Sequence, residues 1–430
     1  MYQQLFYNTG TALYSAAIAL LAPFHRKAAQ IQAGRRQTFD YLQQHVQPGE
    51  TYLWFHAASL GEFEQGRPVM EALKERHPEA RIILTFFSPS GYEIRKNYAG
   101  ADLICYLPAD THANASRLLQ LIPVKAAVFI KYEFWPNYLT ELNRRGIPAY
   151  SIAAIFRNDQ LFFKSYGNWY RQVLYRFRKI FVQDEGSLQL LQSLNLTNAV
   201  VAGDTRFDRV KAVAATARQF PEIEEFIGNC RQVIIAGSSW PQDEELLARY
   251  LNEHPDTKLI LVPHEIHESH LAGIAKLVPE SRRYSHLKPG EFSGSRCLVI
   301  DTIGMLSAVY QFAAIAYIGG GFGVGIHNTL EAAVWNVPVV FGPNYMKFRE
   351  ARELIAVGGG FSIGNYEELK LRINGLLEEK KALQLTEPFS SGKAAGSGTK
   401  AGNYVDANTG ATLVIINQLT NDLYAKTIHS

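Results

Sequence analysis

The chain has 430 residues, of which 47% are hydrophobic and 19% charged, as is typical of globular proteins and not of disordered ones. This length exceeds one ordinary core and predicts two domains of about 150–200 residues each. The net charge of +3 is small and the basic residues are spread along the chain, which argues against nucleic acid as the main partner. Cys105, Cys230 and Cys297 stand far apart without metal-like spacing, and they indicate buried thiols in a reducing compartment.

The N-terminal segment is unlike the rest of the chain. Residues 5–24 carry almost no charge, and their most apolar part, residues 12–24, is shorter than the ~20 residues that span a bilayer. Basic residues follow this run, whereas a signal peptide places its positive charge before it. We therefore expect residues 1–45 to form a membrane-associated helix with a basic flank on the cytoplasmic side. The alternative is a helix in the core of a soluble domain.

Short apolar runs then alternate with amphipathic segments in two series along the chain. This alternation predicts parallel sheets with helices on both faces. The fold class is therefore α/β, with two Rossmann-like doubly wound domains that face a central cleft. The predicted strands are 52–55, 81–87, 103–107, 126–130, 149–155 and 179–182 in the first series, and 233–236, 258–262, 297–300, 314–318 and 337–341 in the second.

Domain boundaries follow from composition. The two doubly wound domains are expected over residues 46–210 and 230–400, joined by an alanine-rich linker over 211–229. A C-terminal helix is expected within 401–430, with the first domain as its candidate packing partner. Residues 390–402 are rich in Gly, Ser and Ala, a composition that favours a mobile segment.

A strand, a small-residue turn and a helix start succeed one another over residues 51–70. Open α/β sheets collect ligands at such places, where backbone N–H groups point outward and the helix dipole favours negative charge. Glu62 directly follows Gly61 in this turn, with Ser59 shortly before it. Glu62 is thus a candidate base for a substrate hydroxyl. The alternative is a carboxylate that only complements the helix dipole.

A second strand-to-helix stretch, residues 318–339, is rich in glycine. Gly320, Gly321 and Gly323 allow a backbone to approach a phosphate closely, and Glu331 lies one turn into the helix, within reach of a ribose hydroxyl. A nicotinamide fingerprint would open the first βαβ unit and be followed about twenty residues later by an acidic residue. Position 345 is tyrosine, which disfavours dinucleotide binding.

Two further stretches of the second half carry polar side chains at strand ends. Ser238 and Ser239 follow a predicted strand and can hold a phosphate, or they can simply cap the next helix. His264, His267 and His270 are spaced by three, as metal ligands on one helix face would be. However, Pro263 marks a strand end and places His264 before the helix, so no metal is expected.

Residues 128–138 place a second carboxylate at a strand end. Lys131, Glu133 and Trp135 come where ligands bind, and Glu133 is expected to face Glu62 across the cleft. The structural alternative is that the aromatic residues here only cap the domain.

Several of these stretches together resemble one family, the 3-deoxy-D-manno-octulosonic acid (Kdo) transferases of lipopolysaccharide synthesis. The similarity extends over most of the chain. Several motifs that occur in the family's order identify the family more specifically than any single motif does. They are HAASLGE (56–62), EFWPN (133–137), GDTRFD (203–208), DTIG (301–304), and Gly319-Gly320 followed by His327-Asn328 and Leu330-Glu331.

The resemblance implies an inverting glycosyltransferase of the GT-B type at the cytoplasmic face of the inner membrane, with no cofactor and no metal. The C-terminal half would bind CMP-Kdo, and the N-terminal half a lipid A precursor (lipid IVA). Glu62 matches the catalytic base, with Glu133 as a second catalytic candidate. The donor-binding candidates are Ser238, Ser239, His264, Gly320, Gly321, Gly323, His327, Asn328 and Glu331; the acceptor-binding candidates are Ser59, Gly61, Lys131, Arg157 and Arg206.

The chain departs from the family pattern at several positions. His264 stands where the family often has an arginine, so a nucleotide contact is missing, and Met305 replaces a carboxylate. Lys131 replaces an acidic residue and Ala332 a proline. Two other readings stay open: a GT-B transferase that uses a UDP-sugar, and a non-catalytic module that binds a sugar nucleotide or a lipid.

Overall fold

The computed structural model describes residues 2–216, 218–287, 294–386 and 396–424. The chain divides into two compact units. One consists of Met1–Asp208 and Gly410–Ser430, and the other of Arg209–Thr409.

The first unit is built on one seven-stranded parallel sheet. Its strands are β1 (Tyr52–Ala57), β2 (Arg81–Phe86), β3 (Leu103–Tyr106), β4 (Val124–Ile130), β5 (Ala149–Ala154), β6 (Lys179–Val182) and β7 (Ala199–Val201). Its helices are α1 (Tyr2–Leu21), α2 (Arg26–His45), α3 (Leu60–Arg76), α4 (Pro89–Arg95), α5 (His112–Leu121), α6 (Pro136–Arg144), α7 (Asn168–Leu174) and α8 (Glu185–Gln192).

The second unit repeats this plan with another seven-stranded parallel sheet. Its strands are β8 (Gln232–Ser239), β9 (Thr257–Pro263), β10 (Arg282–Arg283), β11 (Cys297–Val299), β12 (Ile315–Ile318), β13 (Val339–Phe341) and β14 (Gly360–Ser362). The remaining helices of the chain are α9 (Thr205–Ala215), α10 (Pro221–Ile227), α11 (Pro241–Glu253), α12 (Glu268–Leu277), α13 (Leu306–Val309), α14 (Leu330–Ala333), α15 (Arg349–Val357), α16 (Tyr366–Thr386), α17 (Ser397–Ala407) and α18 (Ala411–Tyr424).

The strand orders are β3-β2-β1-β4-β5-β6-β7 and β10-β11-β9-β8-β12-β13-β14. In each sheet the order reverses once, between β1 and β4 in the first and between β8 and β12 in the second. Ligands of open α/β sheets bind outside the carboxyl ends of the strands at this reversal. The predicted α/β class with two doubly wound, Rossmann-like domains of the GT-B type is confirmed.

The strands of the first sheet are buried because helices cover both faces of the sheet. One face packs against Phe39 and Leu42 of α2. The other packs against α3 and against Ile415, Ile416 and Leu419 of the C-terminal helix α18. Asp208 accepts hydrogen bonds from the backbone N–H groups of Gly410 (2.6 Å) and Thr412 (2.7 Å), which fixes the start of α18 in this unit.

Two predicted segments differ from the structure. The expected linker, 211–229, contains the end of α9 and all of α10, since its alanines favour helix and Ile223 and Phe226 are buried. The segment expected to be mobile, 390–402, lies partly outside the described residues. From residue 397 it forms α17, where Ala401 and Val405 are buried.

The N-terminal 45 residues form two helices instead of one anchor helix with a flank. Among the described residues, no single helix has the length and hydropathy to cross a bilayer. The pair Tyr2–Leu21 and Arg26–His45 meets that criterion only when taken together, with a bend of 117° between them.

Candidate functional site

Glu62 lies at the carboxyl edge of the first sheet, beside its strand-order reversal. The six residues of β1 are all buried, and the chain turns at once into α3. Glu62 is in the first turn of α3, where the helix dipole stabilises its negative charge. The Ser59 hydroxyl donates a hydrogen bond to its carboxylate, and the side chain is partly exposed. Glu62 is therefore oriented and still accessible to a substrate.

Two of the basic residues predicted for the acceptor site lie in the loops after β4 (Lys131) and β5 (Arg157). Lys131 takes a left-handed backbone conformation (φ +70°), and its N–H donates to the carbonyl of Ile152 at 2.8 Å. Its Nζ lies 5.5 Å from the Tyr132 ring centroid. Burial raises the pKa of Tyr132, which Arg157 lowers and Glu62 raises through their charges. Tyr132 thus lies within the electrostatic influence of both Glu62 and the exposed Arg157.

Glu133, the second predicted catalytic carboxylate, belongs to a chain of hydrogen bonds inside the first unit. Its side chain is buried, and its Oε2 accepts hydrogen bonds from His56 Nε2 at 2.9 Å and Trp135 Nε1 at 2.7 Å. On the other side of the imidazole, Thr85 Oγ1 lies 2.8 Å from His56 Nδ1. The Thr85 carbonyl lies 3.1 Å from the same Nδ1, so both ring nitrogens have partners inside the protein. Through its Oε2, Glu133 holds the end of β4 against the end of β1, and a catalytic role for this carboxylate stays a prediction.

The remaining acceptor candidates divide into two kinds. Gly61 is exposed beside Glu62, and a Cβ there would meet only the Ser59 hydroxyl at 3.8 Å. Arg206 instead forms an ion pair with the buried Asp204, with Nη2 and Oδ2 2.8 Å apart. Burial alone would raise the pKa of Asp204, but the Arg206 charge and hydrogen bonds lower it overall. Much of the Arg206 charge is consequently balanced within the protein.

The glycine-rich loop of the second unit follows β12. Gly320 has φ +87°, and a Cβ at Gly321 would lie 2.5 Å from the backbone nitrogen of Gly342. A Cβ at Gly323 would meet nothing within 4 Å. A glycine is therefore required at position 321 because two backbone segments pack closely there. The sequence predicted instead that a phosphate approaches this glycine. Gly320 is required by its conformation, and Gly323 leaves open space.

A buried carboxylate, Asp243, holds this loop and was not among the predicted site residues. It accepts hydrogen bonds from the N–H groups of Gly320 (2.9 Å) and Trp240 (3.0 Å) and from the Tyr317 hydroxyl (2.8 Å). Burial raises its pKa. Asp243 connects the turn after β8 to the loop after β12, across the strand-order reversal. The acidic cluster 243–245 after a small-residue turn was the available sequence signal.

Three aromatic rings form a stack beside this loop. The centroids of Trp240 and His264 are 4.9 Å apart, and those of His264 and His327 are 4.4 Å apart. Burial, with a smaller effect of the His264 charge, lowers the pKa of His327 to about 4. His327 is thus neutral near pH 7. A cavity of about 240 Å³ lies here, lined by Trp240, Asp243 and Gly320 among others.

The predicted serines behave differently from each other. Ser238 is partly exposed with φ +52°. Ser239 is buried, and its hydroxyl donates to Glu244 Oε1 at 2.8 Å. Glu244 also bonds to His270 Nε2 at 2.9 Å. The Ser239 hydroxyl is therefore engaged inside the protein, and a contact of Ser239 with the donor stays a prediction.

Asn328 and Glu331 lie together at the start of α14. Asn328 Oδ1 accepts from the Leu330 N–H at 3.1 Å, and its Nδ2 donates to Glu331 Oε1 at 3.0 Å. The Ser307 hydroxyl donates to Glu331 Oε2 at 2.5 Å. Two donors thus orient the Glu331 carboxylate, which is partly exposed.

The three histidines of 264–270 do not share a helix face. His264 precedes α12, His267 caps it by accepting from the His270 N–H, and His270 bonds to Glu244. In the described part of the chain, no group of three or more His, Cys, Asp or Glu residues is placed to hold a metal ion.

The comparisons with known proteins agree with the motifs at these sites. The family model for "3-Deoxy-D-manno-octulosonic-acid transferase (kdotransferase)" matches residues 33–209. A 3-deoxy-D-manno-octulosonic acid transferase of Aquifex aeolicus is 27% identical over 346 residues, which cover 78% of this chain and 88% of that protein. The chain is thus similar to Kdo transferases over most of its length. A second relative, a 3-deoxy-D-manno-octulosonic acid transferase of Chlamydia trachomatis serovar D, is 28% identical over 347 residues, which cover 77% of this chain and 79% of that protein. These relatives support a glycosyltransferase activity for the chain.

Solved structures of low sequence identity share the fold of this chain. A UDP-GlcNAc 2-epimerase of Neisseria meningitidis matches with a TM-score of 0.59 and 14% identity, over 86% of this chain and all of that one (100%). A putative UDP-N-acetylglucosamine 2-epimerase of Listeria monocytogenes matches with a TM-score of 0.58 and 14% identity, over 88% and 98%. At this identity the likeness concerns architecture alone.

Proposed function

We propose that this chain is a Kdo transferase, which moves Kdo from CMP-Kdo to a lipid A precursor, lipid IVA, with inversion of the anomeric centre, and that Glu62 is the general base. The position of Glu62 carries the proposal. It is oriented at a helix N-terminus beside the strand-order reversal, and among the described residues its only hydrogen-bond partner is the Ser59 hydroxyl. Within the residues that the structure describes, no cationic side chain is within ion-pair distance of this carboxylate, so its oxygens can approach an acceptor hydroxyl.

The reaction needs little beyond positioning and one proton transfer. The acceptor hydroxyl attacks the anomeric carbon of Kdo while Glu62 takes its proton, and the bond from that carbon to the CMP phosphate oxygen breaks. CMP departs as a stable anion, so general-base assistance of about 10²–10⁴-fold and orientation of both partners supply most of the catalysis. Lys131 and Arg157 are the proposed contacts for the Kdo carboxylate or the acceptor phosphates.

On the donor side, the Trp240–His264–His327 stack is the proposed platform for the cytosine ring. Backbone N–H groups of the loop after β12, other than that of Gly320, which donates to Asp243, are proposed to contact the phosphate, and Glu331 the ribose hydroxyls. Because the chain has His264 where the family often has an arginine, ring stacking compensates for the missing cationic contact.

We also propose that the enzyme acts at the cytoplasmic face of the inner membrane. Helix α1 buries none of its residues; its Leu13 and Leu20 are 65% and 75% exposed, and Phe24, just after the helix, is 88% exposed. Such an apolar helix face favours a lipid surface. Replacing these three residues with serine should move the protein from sedimented membranes to the supernatant; unchanged sedimentation would contradict this location.

The function is tested by incubating the protein with CMP-Kdo and a tetra-acylated lipid A precursor, followed by mass spectrometry. A product heavier by one or more Kdo units supports the proposal. Transfer from a UDP-sugar without transfer from CMP-Kdo would favour the other GT-B reading. Nucleotide binding without any transfer would favour the non-catalytic module.

A further inference from the structure

A cavity of about 430 Å³ lies between α1 and the carboxyl edge of the first sheet. Its walls are largely apolar and aromatic, and they include Phe6, Tyr14, Phe87, Trp135 and Tyr170. Phe87 and Trp135 follow β2 and β4, the two strands that flank β1, so they lie at the same carboxyl edge as Glu62. The cavity thus opens on the edge of the sheet that carries Glu62.

Helix α1 closes this cavity through hydrogen bonds and through ring contacts of Tyr7 and Tyr14, while none of its residues is fully buried. The Tyr7 hydroxyl donates to Asp110 Oδ2 at 2.7 Å, and Asn137 Nδ2 donates to Asn8 Oδ1 at 3.0 Å. These bonds hold the helix a fixed distance from the sheet. The space beneath it is therefore built into the fold, since the helix is not packed down onto the core.

Arg35 is the only cationic residue lining this cavity, and its charge is not balanced by a carboxylate of the described chain. Its Nε donates to the Leu107 carbonyl at 3.1 Å, and its guanidinium lies 4.8 Å from the Phe87 ring centroid. Its Nη2 is buried without a hydrogen-bond partner. Arg35 is partly buried, and a cation with an unpaired buried nitrogen is stabilised when an anion pairs with it.

Asp110, the acidic residue that lines the cavity, does not form an ion pair with Arg35. Its carboxylate accepts hydrogen bonds from the Tyr7 hydroxyl and from the N–H groups of Asn137 (3.1 Å) and Tyr138 (2.9 Å). The cavity therefore offers an apolar volume and one unsatisfied guanidinium. Its volume falls in the range of ordinary ligand pockets, about 300–1,000 Å³. The matching ligand has an apolar chain and an anionic group that accepts from a planar donor.

We propose that this cavity binds one acyl chain of the lipid acceptor and that Arg35 pairs with a phosphate of the same molecule. The inference rests on the proposed function and assigns it an acceptor subsite. The CMP-sugar donor has no apolar chain to fill the space. The continuity with the edge that carries Glu62 favours the acceptor over a bulk membrane lipid.

Binding is tested on the full chain by calorimetry with dodecyl phosphate below its micelle concentration, compared with dodecyl maltoside and inorganic phosphate. Arg35→Gln should weaken dodecyl phosphate binding by about 10–100-fold, the range for hydrogen bonds to a charged group. Inorganic phosphate should show no binding that depends on Arg35, and dodecyl maltoside should be insensitive to Arg35→Gln.

A second variant fills the cavity without touching Arg35. Gly10 lines the cavity, and a Cβ there would meet nothing within 4 Å, so Gly10→Leu adds volume without a clash in α1. Leucine also favours helix over glycine, which guards against unfolding. Gly375→Leu in α16 is the matched control, since Gly375 has equally open space. Gly10→Leu should lose at least about 10-fold in dodecyl phosphate affinity, and Gly375→Leu should bind as the wild type does.

Kinetics distinguish the acceptor from a bulk lipid. The proposal predicts a raised KM for the acceptor in Arg35→Gln, with the KM for CMP-Kdo and binding to anionic vesicles unchanged. Lower vesicle binding with an unchanged acceptor KM would overturn it, as would unaltered dodecyl phosphate affinity in both cavity variants. If the wild type transfers Kdo and neither variant has an effect, the cavity is not an acceptor subsite but the proposed function stands. If dodecyl phosphate binding depends on Arg35 but no Kdo is transferred, both the proposed function and the assignment of the cavity to the acceptor are refuted.

Discussion

His56 Nε2 and Glu133 Oε2 lie 2.9 Å apart in the interior of the first unit, where His56 is fully buried and Glu133 is 8% exposed. They join the ends of β1 and β4, the two strands at the reversal of strand order. The loop that carries Glu62 leaves the sheet directly after His56. The pair therefore positions the base, and the carboxylates Glu62 and Glu133 have separate roles.

Glu133→Ala should lower the free energy of unfolding by about 1–3 kcal/mol, because His56 and Trp135 lose their buried acceptor. Glu75→Ala is a suitable control, since that carboxylate is exposed on α3 and should change stability by less than about 0.5 kcal/mol. Urea unfolding measures both. Equal stabilities of the two variants would show that the His56–Glu133 bond does not support the fold.

Gly321→Ala should destabilise the second unit by about 1–3 kcal/mol, since the new Cβ would press on the backbone of Gly342. It should also weaken CMP binding, because the loop must shift. Gly323→Ala has open space and should lie within about 0.5 kcal/mol of the wild type. Urea unfolding and CMP titration of both variants provide the check. Similar losses in the two variants would contradict the packing role of Gly321.

His327 makes stability depend on pH in a definite direction. Its pKa in the folded protein is about 4, below the ordinary value of 6.5. Between these values the unfolded chain binds a proton that the folded chain does not, so this contribution is complete above about pH 6.5 and is lost as the pH falls toward 4. His327→Gln should therefore lose less stability than the wild type between pH 7 and pH 5. Urea midpoints at both pH values test this, and parallel losses would exclude His327 as the cause.

The periodicity of the sequence predicted the central strands of both sheets, because each is a continuous apolar run. It missed β7, β10 and β14, which are two or three residues long and lie at or near the sheet edges. Arg282–Arg283 and Gly360–Ser362 lack the apolar character of a buried strand, so only their neighbours make them strands.

The motifs in the sequence identified loops that lie at the two strand-order reversals, but they did not predict the partners of every side chain. Ser239 and Glu133 follow strand ends as ligand-binding residues do, yet their partners come from distant parts of the chain. Asp243 and Trp240 were missed because an N-terminal helix carboxylate and an N-cap are ordinary features. Arg35 belongs to a basic run that looked like a surface flank, and only the tertiary structure places it beside Phe87.

The role of Glu62 is tested most directly by Glu62→Gln in single-turnover transfer from CMP-Kdo to the tetra-acylated precursor, with CMP-Kdo binding measured alongside. The amide keeps the shape of the side chain but does not accept the proton. The rate should fall by at least ~100-fold, the lower scale for loss of a general base, with CMP-Kdo affinity unchanged. A variant that transfers Kdo at a near-normal rate would contradict the account and leave Glu62 as a charge that only stabilises the start of α3.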